Sequence, residues 1–157
     1  MGMREILFRG KRCDNLEWIE GYLLKECNLP TCSWNLGIEY KTDRFGLFAY
    51  EVSEVVPYTV GQFTGLTDEN GKKIFEGDIV RVLGNQQVED WKCVDYIGSV
   101  AFLDAGFCVI DGTIEDHGFR RYGLPRLDFT LEVIGNIHDN PELLKGSSSY
   151  GERKDNA

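Results

Sequence analysis

Five cysteines, Cys13, Cys27, Cys32, Cys93 and Cys108, are the residues of this chain best suited to hold a soft metal ion. A structural zinc site takes four ligands, usually as two close pairs. Cys27 and Cys32 make one such pair, with Cys13 ahead of them. Cys93 and Cys108 lie far apart and supply no second pair, and His117 sits instead beside Glu115 and Asp116. Neither a metal site nor any other cofactor is expected. An odd, scattered set of thiols fits a reducing, cytoplasmic setting better than a disulfide framework. The carboxylates placed to act as acid or base are Glu76, Asp78 and Asp104. The chain has no Gly-rich phosphate loop, no Gly-x-Ser-x-Gly and no His-Glu-x-x-His. Solvated carboxylates at strand edges account for these three groups, and the protein is expected not to be an enzyme.

Binding chemistry is better represented. Arg4, Arg9, Lys11 and Arg12 cluster near the start, and Arg120, Arg121 and Arg126 cluster around Phe119 and Tyr122. Basic groups interleaved with aromatic rings suit single-stranded nucleic acid. With 26 acidic against 17 basic residues, however, the formal net charge of −9 opposes long-range attraction to phosphate. Nucleic-acid binding at Arg120, Arg121, Tyr122 and Arg126 is therefore the alternative expectation. The leading one is a protein partner, since Trp18, Trp34 and Trp91 add to an aromatic content of 12% and such rings concentrate at interface hot spots.

These residues must be carried by β-structure. Eighteen glycines alongside abundant aromatics favour short strands and tight turns in a chain of 157 residues. Strands are expected at Met3–Phe8, Glu17–Leu24, Trp34–Phe48, Leu47–Val52, Thr59–Phe63, Ile79–Leu83 and Leu127–Ile137, with a hairpin across Tyr96–Ile110. A Cys-containing loop is expected over Lys25–Ser33, a short helix within Gly84–Asp95, and a loop over Gly112–Arg126. Asn70-Gly71 suits a tight hairpin turn needing positive φ. Asn140-Pro141-Glu142 reads as the start of a short C-terminal helix. The last residues, 146–157, are almost free of apolar side chains and should be disordered. The apolar run of a signal peptide is missing, and no stretch approaches the ~20 apolar residues of a membrane span.

Phe8-Arg9-Gly10 through Glu20-Gly21 and Leu24 is echoed by Phe63-Thr64-Gly65 through Glu76-Gly77 and Val80. The shared pattern predicts an internal repeat of strand, turn and a second strand kinked at glycine. Gly21, Gly65, Asn70, Gly71, Glu76 and Gly77 then have structural roles, and only Asp78 stands outside the repeat.

The segments RGKR, TVGQFTGLTDENGKKIFEGDIV and EVIGNIHDNPELL, in this order, resemble the YopX-like proteins of bacteriophages and prophages. The resemblance spans Arg9 to Leu144. It implies a small phage-associated protein whose fold is β-rich, similar to SH3-type small barrels, and homo-oligomeric. It brings no catalytic residues to carry over. The architecture expected is therefore mainly β: an N-terminal β-unit over 1–56, an SH3-type barrel over 57–145 with one short C-terminal helix, and a tail. The function expected is a cytoplasmic, non-enzymatic binding or assembly module whose partner is a phage or host protein, with no membrane association.

Overall fold

The computed structural model describes residues 5–28, 31–39, 50–84, 95–111, 120–123 and 129–145. It falls into two compact units, Met1–Thr67 with Gly71–Glu76, and Asp68–Asn70 with Gly77–Ala157.

The first unit holds β1 (Phe8–Lys11), β2 (Trp18–Asn28), β3 (Thr31–Glu39), β4 (Tyr50–Glu54), a 3-10 turn (Pro57–Thr59), β5 (Gly61–Thr67) and β6 (Lys73–Phe75). They make an antiparallel sheet of six strands in the order β4-β3-β2-β1-β5-β6. Pro57 starts the 3-10 turn, where a missing N–H costs nothing. Thr59 ties that turn down: its hydroxyl donates to Val56 O at 2.7 Å and accepts from Lys11 N at 2.9 Å. Leu7, Phe63 and Phe75 form a buried cluster, with the two rings 5.5 Å apart and tilted.

The second unit holds β7 (Asp78–Gly84), β8 (Asp95–Leu103), β9 (Gly106–Asp111), β10 (Arg120–Gly123), β11 (Phe129–Asn136) and a second 3-10 turn (Pro141–Leu144). Its antiparallel sheet of five strands runs β10-β9-β8-β7-β11. Ile79, Val80, Val82, Val100, Val109 and Ile110 are buried. Burial on both faces explains the apolar runs of Ile79 and Val80 in β7 and of Cys108, Val109 and Ile110 in β9, with Arg81 exposed between Val80 and Val82, and each large buried aliphatic side chain contributes roughly 1.5–3 kcal/mol. Asp104 and Ala105 link β8 to β9 with φ of 48° and 64°. A two-residue connection with both φ positive has the twist that antiparallel strands favour.

The SH3-type barrel is not what forms. Closing a barrel requires the outermost strands of a sheet to pair with each other and leave no edge. Here β4 and β6 end one sheet, and β10 and β11 end the other. Among the described residues a single bridge, Arg12 to Val55, joins the ends of β1 and β4 through Cys13 N to Glu54 O at 3.0 Å and Val56 N to Lys11 O at 2.8 Å. One bridge ties two strand ends without making a ladder. The expected C-terminal helix is a 3-10 turn of 4 residues, and Asn140 makes no side-chain cap. Its Oδ1 instead accepts from Asn136 N at 3.4 Å.

Local expectations meet mixed outcomes. The loop expected over Lys25–Ser33 is largely strand, with Cys27 opposite Cys32 in the β2–β3 register. The region 112–126 contains β10. At the Asn-Gly turn only Gly71 has positive φ, 80°, and the connection covers residues 68–72. The predicted helix within Gly84–Asp95 and the tail lie outside the described residues, apart from the strand ends Gly84 and Asp95. The proposed repeat parts at its glycines. Gly21 lies inside β2, opposite Phe8, whereas Gly77 has φ of 82° between β6 and β7 and Phe63 faces Phe75. A different repetition is present: β1 to β5 and β7 to β11 share one strand order, with the fifth strand returning beside the first.

Candidate functional site

Side chains alternate faces along a strand, and directly paired residues share a face. Trp18, Glu20, Tyr22 and Leu24 therefore line one face of β2. Register adds Lys11 beside Trp18 and Arg9 beside Glu20. It also aligns Tyr22, Gly37 and Val52 across β2, β3 and β4. Tyr22, Leu24 and Val52 are exposed by 49%, 41% and 46%, which is high for bulky apolar groups sharing a face. Gly37 carries no side chain, and it stands between Tyr22 and Val52 in the register.

Toward β1 the face becomes cationic. The Arg9 guanidinium carbon lies 4.9 Å from the ring centres of both Trp18 and Phe75. Lys11 Nζ lies 5.4 Å from Trp18, and Lys73 Nζ lies 5.7 Å from Phe63. Lys73 also pairs with Glu20 at 3.2 Å. Gly61 faces Arg9 in the register. A Cβ there would come within 2.3 Å of Glu76 O, so only glycine lets β5 and the end of β6 approach. Attraction of a cation to a ring face is worth about 0.5–2 kcal/mol, more when water is excluded. Arg12 is engaged with Asp14 through Nε at 2.9 Å and Nη2 at 2.6 Å. That guanidinium holds the Asp14 carboxyl below its usual range. The exposed Cys13 thiol is pushed up by burial, then by the charges of Glu54 and Asp14. Of the N-terminal basic cluster, Arg9, Lys11 and Arg12 thus engage groups of their own chain, and Arg4 lies outside the described residues.

The residues singled out from sequence fall elsewhere. Arg120, Arg121 and Tyr122 form β10, paired to Asp111, Ile110 and Val109. Arg126 and His117 are outside the described residues. Glu76 N donates to Gln62 O at 2.9 Å. Gly77 donates to Val100 O at 2.8 Å and accepts from Ile137 N at 2.9 Å, so Gly77 is held between β8 and the residue that follows β11. Asp78, 1% exposed, opens β7 opposite Asn136. Gly65 lies in β5 with φ of 88°. Asp104 sits in the β8–β9 turn. Glu76, Asp78 and Asp104 hold three separate backbone positions and do not converge. Among the described residues no group of three His, Cys, Asp or Glu side chains could hold a metal ion. No helix among them is long and apolar enough to cross a membrane.

The apolar face was partly visible in sequence, because Trp18, Tyr22 and Leu24 recur at even spacing. Val52 was not, since only the β3–β4 register brings it opposite Gly37.

A protein-family model described as YopX protein matches residues 7–145. No curated protein matches the chain. The crystal structure of protein EF1440 from Enterococcus faecalis is 25% identical, covering 90% of this chain and 99% of that one, with a TM-score of 0.43.

Proposed function

The chain belongs to the YopX family of phage and prophage proteins, and from that premise we propose a non-enzymatic module that binds another protein through the face of its first sheet. The observation that carries this reading is the exposed group Tyr22, Leu24 and Val52 on one side of β2, β3 and β4. Aromatic and aliphatic anchors on a rigid sheet suit a protein partner, because their burial supplies affinity at small entropic cost. The engagement of Arg9, Lys11 and Arg12 with rings and Asp14 favours protein over nucleic acid at this end. A cation already stacked or paired must give up that contact to meet a phosphate.

The test is capture from phage-infected host lysate by the wild type and by a Tyr22→Glu, Val52→Glu variant. A protein retained by the wild type and lost by the variant, at equal folding stability, is the expected result. Equal retention by both, or none by the wild type, rejects the reading. A salt-dependent shift of labelled single-stranded DNA would point to nucleic acid in its place.

A further inference from the structure

Cys27 and Cys32 are brought directly opposite each other by the antiparallel pairing of β2 with β3. Directly opposed residues of such a ladder alternate between pairs that exchange their own N–H···O bonds and pairs that do not. The pair nearest the connection is Asn28 with Thr31. Were that pair of the second kind, one of its flanking bonds would need the N–H of the residue before Thr31. That residue is Pro30, which has no N–H. Asn28 and Thr31 therefore exchange their own bonds, and the next pair, Cys27 with Cys32, is of the non-hydrogen-bonded kind. Cα atoms stand about 4.5 Å apart in such a pair, against about 5.5 Å in the other kind. A disulfide spans Cα separations of roughly 4.4–6.8 Å. The register runs unbroken from Tyr22 to Asn28, so alternation puts Cys27 on the other face of β2 from Tyr22 and Leu24. Cys108 stands opposite Ala101 and Gly123, and Cys13 lies outside the strands.

We propose that Cys27 and Cys32 form a reversible dithiol–disulfide site, closed by a small-molecule disulfide. One cysteine thiolate attacks a sulfur of the incoming disulfide, expels one half of it as a thiolate and stays joined to the other half. The thiolate of the second cysteine then attacks the first cysteine's sulfur and expels the remaining half. Two protein thiols give up two electrons and two protons, and the small disulfide takes them up as two small thiols. The pairing of β2 with β3 favours the second step, because the resolving cysteine already holds the opposite place in the ladder. In a reducing pool the pair rests as thiols, in keeping with an odd and scattered set of cysteines. As the pool becomes oxidised the bond closes across two strands that keep their register. Excess thiol reverses both steps. The site lies on the opposite face from Tyr22 and Leu24 and does not depend on their binding a partner.

The full chain is equilibrated without air in graded ratios of oxidised to reduced glutathione, once folded and once in denaturant. Free thiols are then blocked in denaturant with N-ethylmaleimide, and the chain is digested with trypsin and weighed by mass spectrometry. Both cysteines fall in one peptide, from Glu26 to Lys41. That peptide should be unblocked and lighter by two hydrogens than its dithiol form, at ratios where Cys13 and Cys108 are still blocked. Half-closure in the folded chain should need about a tenfold lower proportion of oxidised glutathione than in the denatured chain, or less. Closure that is equal or weaker in the folded chain overturns the proposal, because the register would then contribute nothing. A peptide that carries glutathione without closing overturns it too. So does one that stays as two thiols while Cys13 is oxidised, or one that is joined to another cysteine or to a second chain.

Discussion

Arg9 shows how a charge can serve packing. Its guanidinium carbon lies 4.9 Å from the ring centres of both Trp18 and Phe75. Arg9→Ala should cost roughly 1–3 kcal/mol of unfolding free energy in denaturant titrations, from lost stacking as much as lost charge. An unchanged midpoint would show that the stack contributes nothing. Composition placed Arg9 in a basic cluster. Its partner Phe75 arrives through the β1–β5 and β5–β6 pairings, which no local pattern states. Cys13 offers a second check. Burial and the neighbouring Glu54 and Asp14 charges raise its pKa, so less thiolate is present at neutral pH. Its alkylation by iodoacetamide, followed by mass spectrometry, should be slower in the folded protein than in denaturant. It should quicken as pH rises, and Glu54→Gln or Asp14→Asn should shift that rise to lower pH.

Element by element, the glycines separate into two kinds. Gly61 and Gly98 sit where backbones nearly touch: a Cβ would meet Glu76 O at 2.3 Å and Ile110 O at 2.5 Å. Gly71 has φ of 80° and open space around its Cα. Gly61→Ala and Gly98→Ala should each cost about 2–4 kcal/mol, because a strand must shift. Gly71→Ala should cost roughly 1 kcal/mol, the strain of a left-handed backbone. Thermal unfolding of the three variants would rank them, and Gly71→Ala as the worst would contradict this account. Strands were the most legible elements, since alternation in Tyr96–Ile110 marks both β8 and β9. The β2–β3 hairpin was less so, because cysteines and Pro30 resemble loop chemistry. Gly77 was foreseen as a kink, but Gly21, in the same Glu-Gly context, is held straight by its pairing with Phe8. The dipeptide does not determine the bend; the strand beside it does.

For the whole molecule, the β-rich class followed from composition and the family from three sequence blocks, now supported by a match over residues 7–145. Barrel closure could not be read, because it depends on which strands end each sheet, a matter of long-range pairing. The shared strand order of the two sheets was hidden for the same reason. With a net charge of −9, no shift of single-stranded DNA is expected at physiological salt, and a shift that weakens steeply with salt would revive the alternative. The hydrogen bonds that Val133 N donates to Asp68 Oδ2 and Glu69 N donates to Leu131 O also have a meaning in time. Asp68 leaves the ribosome while Leu131 and Val133 are still unmade, and chains grow at about 5–20 residues per second. For several seconds the carboxylate remains hydrated while β7, β8 and β9 are built. It docks only when β11 emerges. This pair of bonds is therefore among the last contacts to form during synthesis, and a chain released before Val133 would leave the ribosome without the Asp68 bond.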